Sequence, residues 1–239
     1  MSSQVNLSVV VPAYNEERRL PATLDRIAGF LAQRASFLPA EVIVVDDGST
    51  DGTAAAASRV IPGVTVRVIR LGRNRGKGAG VRAGLEASRG ARVLISDADL
   101  ATPIEEIDAL LASGADLAVG SRALRRELIE RRQPPARDVM GRFFNVALRA
   151  LGLTRLHDTQ CGFKLLDGAL ARRMAGVLRL DGFAFDVELL ARAARAGATV
   201  AEVPVRWRHV DASRVRPLRH GAQMLRDAVR VRVWLWLGS

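Results

Sequence analysis

Five short runs of aliphatic and β-branched residues punctuate the first half of the chain, at 7–11, 42–45, 64–69, 93–95 and 117–119. Rich in valine and isoleucine and mostly without polar alternation, they are read as strands covered on both sides. Between them lie stretches with helical spacing at 17–33, 51–60 and 78–89, and a fourth opens at Pro103, a residue suited to a first helical turn. Strands alternating with helices predict a mostly parallel, Rossmann-like α/β sheet flanked by helices. The second half is less regular. It offers an amphipathic helix at 138–151, an extended piece at 161–167, a helix at 184–196, a strand at 199–203 and a last helix at 217–237. With no internal repeat and no low-complexity linker, the simplest partition is one α/β domain over 1–216 and a C-terminal amphipathic helix over 217–239.

In open parallel sheets, ligands settle beyond the carboxyl ends of the strands. That rule puts five polar clusters on one edge: PAYNE after the first strand, DDGSTDGT after the second, GRNRGKG after the third, DADLATP after the fourth and GSR after the fifth. Asp46 and Asp47 end a buried strand, where a carboxylate can accept hydrogen bonds from a nucleotide's base or ribose, while Ser49, Thr50 and Asp51 read as a turn and helix cap. GRNRGKG lacks the spacing of a phosphate loop and leaves a glycine-lined bend with Lys77 at a helix N-terminus. Asp97 and Asp99 stand one residue apart at the end of a buried strand, and their repulsion and desolvation call for an offsetting cation. A hard divalent ion, Mg²⁺ or Mn²⁺, takes one or two carboxylates together with diphosphate oxygens, so this pair is the expected metal site.

Composition narrows the setting. The chain has 239 residues, 49% of them apolar, enough for a sizeable core. Its one cysteine, Cys161, has no intrachain partner; no signal peptide and no run of 18 apolar residues is visible, so the chain is expected to be soluble or bound to a surface. The 36 Lys and Arg against 25 Asp and Glu give +11, with the arginines crowded after residue 120. Such an excess favours anionic partners, whether nucleic acid, phosphorylated substrate or acidic lipid. Nucleic acid is disfavoured, because 5% aromatic residues leave few stacking platforms and no recognition motif occurs.

Taken in order, VVPAYNE, VVDDGSTDGT, NRGKG, DADLATP, GSR, DTQCGFKL and FAFDVELL resemble the motifs of the family 2 glycosyltransferases with the GT-A fold, over residues 7–216. Within that family they look most like the polyprenyl-phosphate sugar synthases, and the dolichyl-phosphate β-glucosyltransferase type above all. The resemblance implies that Pro12, Tyr14, Glu16, Asp46 or Asp47, and Lys77 hold a nucleotide sugar, with Ala98 between the metal-holding acids Asp97 and Asp99. Mannosyl-transferring relatives often carry Gln two positions beyond the second acid; Ala101 stands there, which leans toward the glucosyl type. The family's Arg-x-x-Gly-x-Ser-Lys element has a counterpart that opens on Arg208 and closes on Arg214, without the glycine.

The implied reaction is an inverting transfer of a hexose, glucose by preference, from a UDP-sugar to a polyprenyl phosphate at the cytoplasmic membrane face. A GDP-mannose donor or a hydroxyl acceptor is the alternative. A phosphate acceptor has a second pKa of about 6, so it is already anionic and needs cations rather than a base. Arg122 and Arg137 are the expected clamp, with Arg132 and Arg142 in reserve and Arg208 and Arg214 adding charge. A hydroxyl acceptor would need Asp186 or Glu188 as base, and residues two apart on a helix diverge, so at most one of them faces the site. The stripe of Met140, Phe143, Phe144, Ala147, Leu148 and Leu151, edged by Arg137, Arg142 and Arg149, suits contact with an anionic membrane surface. So do the valines, leucines and tryptophans of 225–237 with Arg226, Arg230 and Arg232, and a homo-oligomer is also open.

Overall fold

A computed structural model of the chain describes residues 5–58, 64–210 and 217–238; the side chains of Arg137 and of residues 217–220 lie outside the described set. The first half runs β1 (Leu7–Ala13), α1 (Leu20–Ala32), β2 (Ala40–Asp46), α2 (Thr53–Ala57), β3 (Val64–Arg70), α3 (Lys77–Ala87), β4 (Arg92–Ile95), α4 (Ile107–Ala112) and β5 (Leu117–Ser121). The second half runs β6 (Ile129–Arg131), α5 (Pro135–Ala150), β7 (Lys164–Asp167), α6 (Gly168–Val177), α7 (Phe185–Arg195), β8 (Val200–Pro204), β9 (Trp207–Arg208) and α8 (Pro217–Trp236). Among the described residues, seven strands form one sheet in the order β3-β2-β1-β4-β7-β5-β8, and β6 pairs with β9 in a small separate ribbon.

The unbroken apolar runs are explained by cover on both faces, except in β3, which lies at the sheet edge, alternates Thr65 and Arg67 with valines and is only partly buried. Along β1, Val9 and Val11 join the core under α1 with Leu20, Leu24 and Ile27, while Val10 joins Val81 and Leu85 of α3 on the other side. A strand with two dry faces cannot alternate, because a polar side chain on either face would be desolvated without a partner. Helix α3 lies so close to β1 that a Cβ on Gly84 would come within 2.2 Å of Val10 Cγ1. The helix expected at Pro103 begins as a 3₁₀ turn over Ile104–Glu106 before α4.

Two features of the second half escaped the pattern. The extended piece becomes β7, which runs antiparallel between β4 and β5, so its first residue, Lys164, pairs with Ile95 at the carboxyl end of β4. Local periodicity says nothing about strand direction, and here direction carries Lys164 to the ligand edge. Helix α6 was not anticipated because Gly168 opens it and Gly176 sits near its end; Asp167 caps it by accepting from the amides of Ala169 and Leu170.

The last helix belongs to the core. Met224, Ala228, Val231 and Leu235 of α8 are buried in the cluster that holds α7, and Trp234 lies under the guanidinium groups of Arg179 and Arg230, at 5.4 and 5.0 Å. Leu225, Val229, Val233, Trp236 and Leu237 face outward. The stripe expected on α5 also divides: Phe144 and Leu148 enter the core, whereas Phe143 is 68% exposed beside Val139 and Val146. No helix among the described residues is long and apolar enough to cross a membrane.

Candidate active site

All five strand-end clusters open into one cleft of about 540 Å³. The segment after β1 contributes Pro12, Tyr14 and Glu16, β2 is followed by Asp47, β3 by Gly76 and Lys77, β4 by Asp97, Ala98 and Asp99, and β5 by Arg122. The opposite wall comes from the second half: Met140 and Phe144 of α5, Gln160, Asp186 of α7, Trp207 of β9 and Met224 of α8.

Neighbouring loops lock one another. Asn15 Oδ1 accepts the Thr50 amide and the Asn15 amide donates to Ser49 Oγ, tying the first cluster to the second. Asp47 accepts the amides of Arg75 and Gly76 at 2.8 and 2.7 Å, tying the second to the third. Burial pushes its carboxyl up, against those two amides. Gly76 has φ of 116°, and a Cβ there would lie 2.5 Å from the Asp181 carbonyl, so the bend before Lys77 excludes any side chain. Asp46, by contrast, turns away from the cleft. It is buried in its own turn, accepting the Ser49 amide at 2.9 Å with Arg70 Nε at 3.6 Å. Of the two acids left open by the sequence, Asp47 lines the cleft and Asp46 builds the loop. Glu16 is held bidentately by Arg19 at 2.7 and 2.8 Å, and Arg19 also lines the cleft.

The acid pair sits on a tight turn. The Leu100 amide donates to the Asp97 carbonyl and the Ala101 amide to Asp99 Oδ1. Leu100 has φ of 44°, a conformation that costs a residue with a Cβ about 1–2 kcal/mol; its buried side chain holds it there. Lys77 Nζ lies 2.6 Å from Asp97 Oδ1. Its ammonium is therefore directed at Asp97, in the same cleft. Burial works against the charged form of Asp97, yet Lys77, with Lys164 and Arg122 behind it, holds the carboxyl below its ordinary range. Burial likewise disfavours charge on Lys77, and Asp97 and Asp186 outweigh it, so the ammonium is held above its ordinary range. Asp99 is pushed up by burial and by the charge of Asp97. This residual repulsion is what a divalent cation relieves, and two hard carboxylates at a diphosphate-sized cleft suit Mg²⁺ or Mn²⁺. Among the described residues no three His, Cys, Asp or Glu side chains converge; an ion held on these two acids would complete its shell with substrate oxygens.

A second charged pair lies deeper. Lys164 is fully buried, donates to the Cys161 carbonyl at 2.6 Å and stands 2.5 Å from Asp186 Oδ1. Sequence reasoning quoted Lys164 only inside a motif. A usable signal was there: among 36 cationic residues the chain has only two lysines, Lys77 in the cleft and Lys164 paired with the cleft acid Asp186. Glu188 points elsewhere, accepting the amides of Arg179 and Leu180 and pairing with Arg192. Of the two acids on α7, only Asp186 faces the cleft.

The arginines expected to form one clamp are dispersed. Arg122 lines the cleft, half-buried; Asp158 takes its Nε and Nη2 at 2.6 and 2.8 Å, and it lies 5.3 Å from the centre of the Trp207 ring. Asp158 raises it above the ordinary guanidinium range against the burial that opposes charge. Arg142 is exposed and engaged by Asp138 one helical turn earlier, which Arg126 also reaches. Arg132 is exposed before α5, and Arg208 is exposed on β9. The side chain of Arg137 and the whole of Arg214 lie outside the described residues.

Comparison with known proteins agrees with this geometry. Residues 8–173 match glycosyl transferase family 2. The chain is 39% identical over 254 residues to the dolichyl-phosphate beta-glucosyltransferase of Drosophila melanogaster, across 100% of this chain and 78% of that one. It is 40% identical over 249 residues to the Mus musculus protein of the same name, across 98% and 76%. Among solved structures, glucosyl-3-phosphoglycerate synthase from Mycobacterium tuberculosis in complex with Mn²⁺, UDP-glucose and phosphoglyceric acid is 25% identical with a TM-score of 0.64, across 95% of this chain and 78% of that one. With its five strand-end clusters gathered in one cleft and a match that spans most of its length, the chain belongs to glycosyl transferase family 2.

Proposed function

We propose that this glycosyltransferase moves glucose from UDP-glucose to a polyprenyl phosphate of the dolichyl type, with inversion at the sugar carbon. The observation that carries the reading is the meeting in one cleft of the acid pair Asp97 and Asp99 with the guanidinium of Arg122, held by Asp158. The names of the full-length relatives supply the substrate class.

Pro12, Tyr14, Glu16 and Asp47 form the nucleoside side of the cleft, and the diphosphate lies over Ala98 between the two acids. Mg²⁺ or Mn²⁺ on Asp97 and Asp99 would supply Lewis-acid neutralisation of the diphosphate leaving group. The acceptor's phosphate oxygen attacks C1 of the hexose from the face opposite the diphosphate, the C1–O bond breaks and UDP departs; no proton needs to be moved. Two anions must approach for this, so the cationic groups do the work. Arg122, fixed by Asp158 through two nitrogens, keeps Nη1 for the acceptor phosphate, and Arg137 at the start of α5 is the second clamp. The exposed Arg132, Arg142 and Arg208 form an outer cationic field rather than direct contacts. The outward apolar residues of α5 and α8 support peripheral contact with an anionic membrane surface, at its cytoplasmic face.

The test is incubation with UDP-glucose, either metal and a short polyprenyl phosphate. UDP release with glucose appearing on the lipid is expected. Release of nucleotide from GDP-mannose alone, or no glycolipid with any donor, would overturn the reading. Sedimentation with anionic but not neutral vesicles checks the membrane contact.

A further inference from the structure

We propose that Glu202 is a positioning residue for the transfer: from β8 it fixes both sides of the Arg122–Asp158 pair, and so sets where the guanidinium meets the acceptor phosphate. The inference rests on the reading of Arg122 as the acceptor clamp and names what holds that clamp in place.

Strand β8 runs parallel to β5, with Glu202 in register beside Val119, so the two strands leave the sheet at the same edge. The Glu202 side chain is 8% exposed, and a carboxylate so far withdrawn from water needs donors on both oxygens. It has them. Oε1 accepts the Ser121 hydroxyl at 2.7 Å and the Asp158 amide at 2.8 Å. Oε2 accepts the His157 amide at 2.9 Å, and the His157 ring Nδ1 stands 3.2 Å from it. Ser121 Oγ in turn accepts the amides of Ala123 and Leu124. A single carboxylate oxygen thus ties the residue that precedes Arg122 to the residue that grips it.

Glu202 is not among the residues that line the cleft, so it acts through Arg122, which is. Asp158 takes the Arg122 amide at 3.0 Å as well as Nε and Nη2 at 2.6 and 2.8 Å. Held at these points, the guanidinium plane follows the carboxylate, and the carboxylate follows its own backbone. The loop that carries it is braced from the other side by Asn145 of α5, whose Oδ1 accepts the amide and hydroxyl of Thr159 at 3.2 and 2.8 Å. Such bracing matters for a planar fork, which must be aimed as well as placed, and a displacement of about 1 Å costs rate on the order of 10²-fold. Without Glu202 the Asp158 amide and the Ser121 hydroxyl lose their acceptor, and the loop is free to turn the fork from the phosphate.

The experiment measures kcat/KM for a short polyprenyl phosphate at saturating UDP-glucose and metal, with UDP binding followed by calorimetry. The variants are Glu202→Ala, Glu202→Gln and Ser121→Ala, each alone and combined with Arg122→Gln, whose amide can still donate to Asp158. Glu202→Ala should lower acceptor kcat/KM about 10- to 100-fold while UDP affinity keeps its wild-type value. Ser121→Ala removes one bond to the bridging oxygen; it should lose less, in the same direction, and carries the test should Glu202→Ala fail to fold. Glu202→Gln keeps one oxygen for the bridge and should recover most of the loss. Combined with Arg122→Gln, none of the three should cost anything further, because a residue that acts through the guanidinium then has nothing to position. Losses that add to that of Arg122→Gln, or that fall equally on UDP binding, would reduce Glu202 to loop packing and overturn the inference. Wild-type acceptor kinetics in Arg122→Gln alone would instead refute the clamp reading beneath it.

Discussion

Two lysine–aspartate pairs each bring their acid to the cleft and differ in their access to water. Lys77 and Asp97 meet at 2.6 Å with side chains 20% and 35% exposed; Lys164 and Asp186 meet at 2.5 Å with 0% and 5%. The chemistry is the same, but the environment decides what each can do. The open pair can trade partners, since water or a ligand can take over either charge at small cost. The closed pair cannot be opened without stranding a charge in apolar surroundings. One pair is therefore suited to receiving a metal and a diphosphate, the other to fixing a geometry. Lysine serves both sites because it is a compact point charge, whereas the planar fork of arginine demands several partners at once.

The contrast can be broken at four points. The largest effect is expected beside the open pair. Asp99→Asn removes one of the two carboxylates for the metal, whose contribution of several kcal/mol corresponds to turnover falling on the order of 10³-fold. Near-normal initial rates with saturating metal would remove Asp99 from the site. Next comes Lys164→Met, which leaves Asp186 buried and uncompensated and should cost about 3–5 kcal/mol in denaturant unfolding. Lys77→Met should cost under about 1 kcal/mol in the same measurement, its partner being 35% open to water. Equal losses in the two variants would erase the comparison.

The third effect is on rate: Lys77→Met should slow turnover on the order of 10²-fold with the fold intact, and Lys77→Arg should not restore it, as a guanidinium cannot reproduce the point charge. The smallest effect is in pH. Burial pushes the Asp186 carboxyl up, and Lys164 and then Lys77 pull it back. A carboxyl raised in the folded state contributes stability that is complete below its unfolded value and is lost as pH rises through the native one. Removing Lys164 raises Asp186 further. The stability deficit of Lys164→Met should therefore shrink as pH is lowered from about 7 toward about 4. A deficit that stays constant over that range would mean that Asp186 is not the group left unpaired.

The same contrast separates what was legible early from what was not. Asp97 and Asp99 follow a strand whose burial shows in an unbroken apolar run and Lys77 follows the edge strand β3, so their common edge could be read from strand order alone. Asp186 was legible as one of two acids on a helix, and the divergence of positions two apart anticipated that only one would face the cleft. Lys164 was not singled out, because its place depends on β7 running antiparallel into a gap between β4 and β5. The arginines were over-read for a related reason. Their crowding after residue 120 is a fact of composition, but Arg142 is engaged by Asp138 on its own helix and Arg122 by Asp158.

The sequence by itself determined the parallel half-sheet, the gathering of five polar clusters at its edge, the acid pair and the cationic excess. These follow from local periodicity and from the rule that loops leave a parallel sheet at one end, which need no knowledge of distant residues. The tertiary structure alone decided that Asp47 and not Asp46 faces the cleft, that Arg122 is gripped by Asp158, and that Lys164 pins Asp186. Those outcomes depend on strand direction and helix docking across the whole chain. The partner of a buried charge is chosen by whatever the fold brings within about 3 Å of it, and periodicity carries no record of that choice.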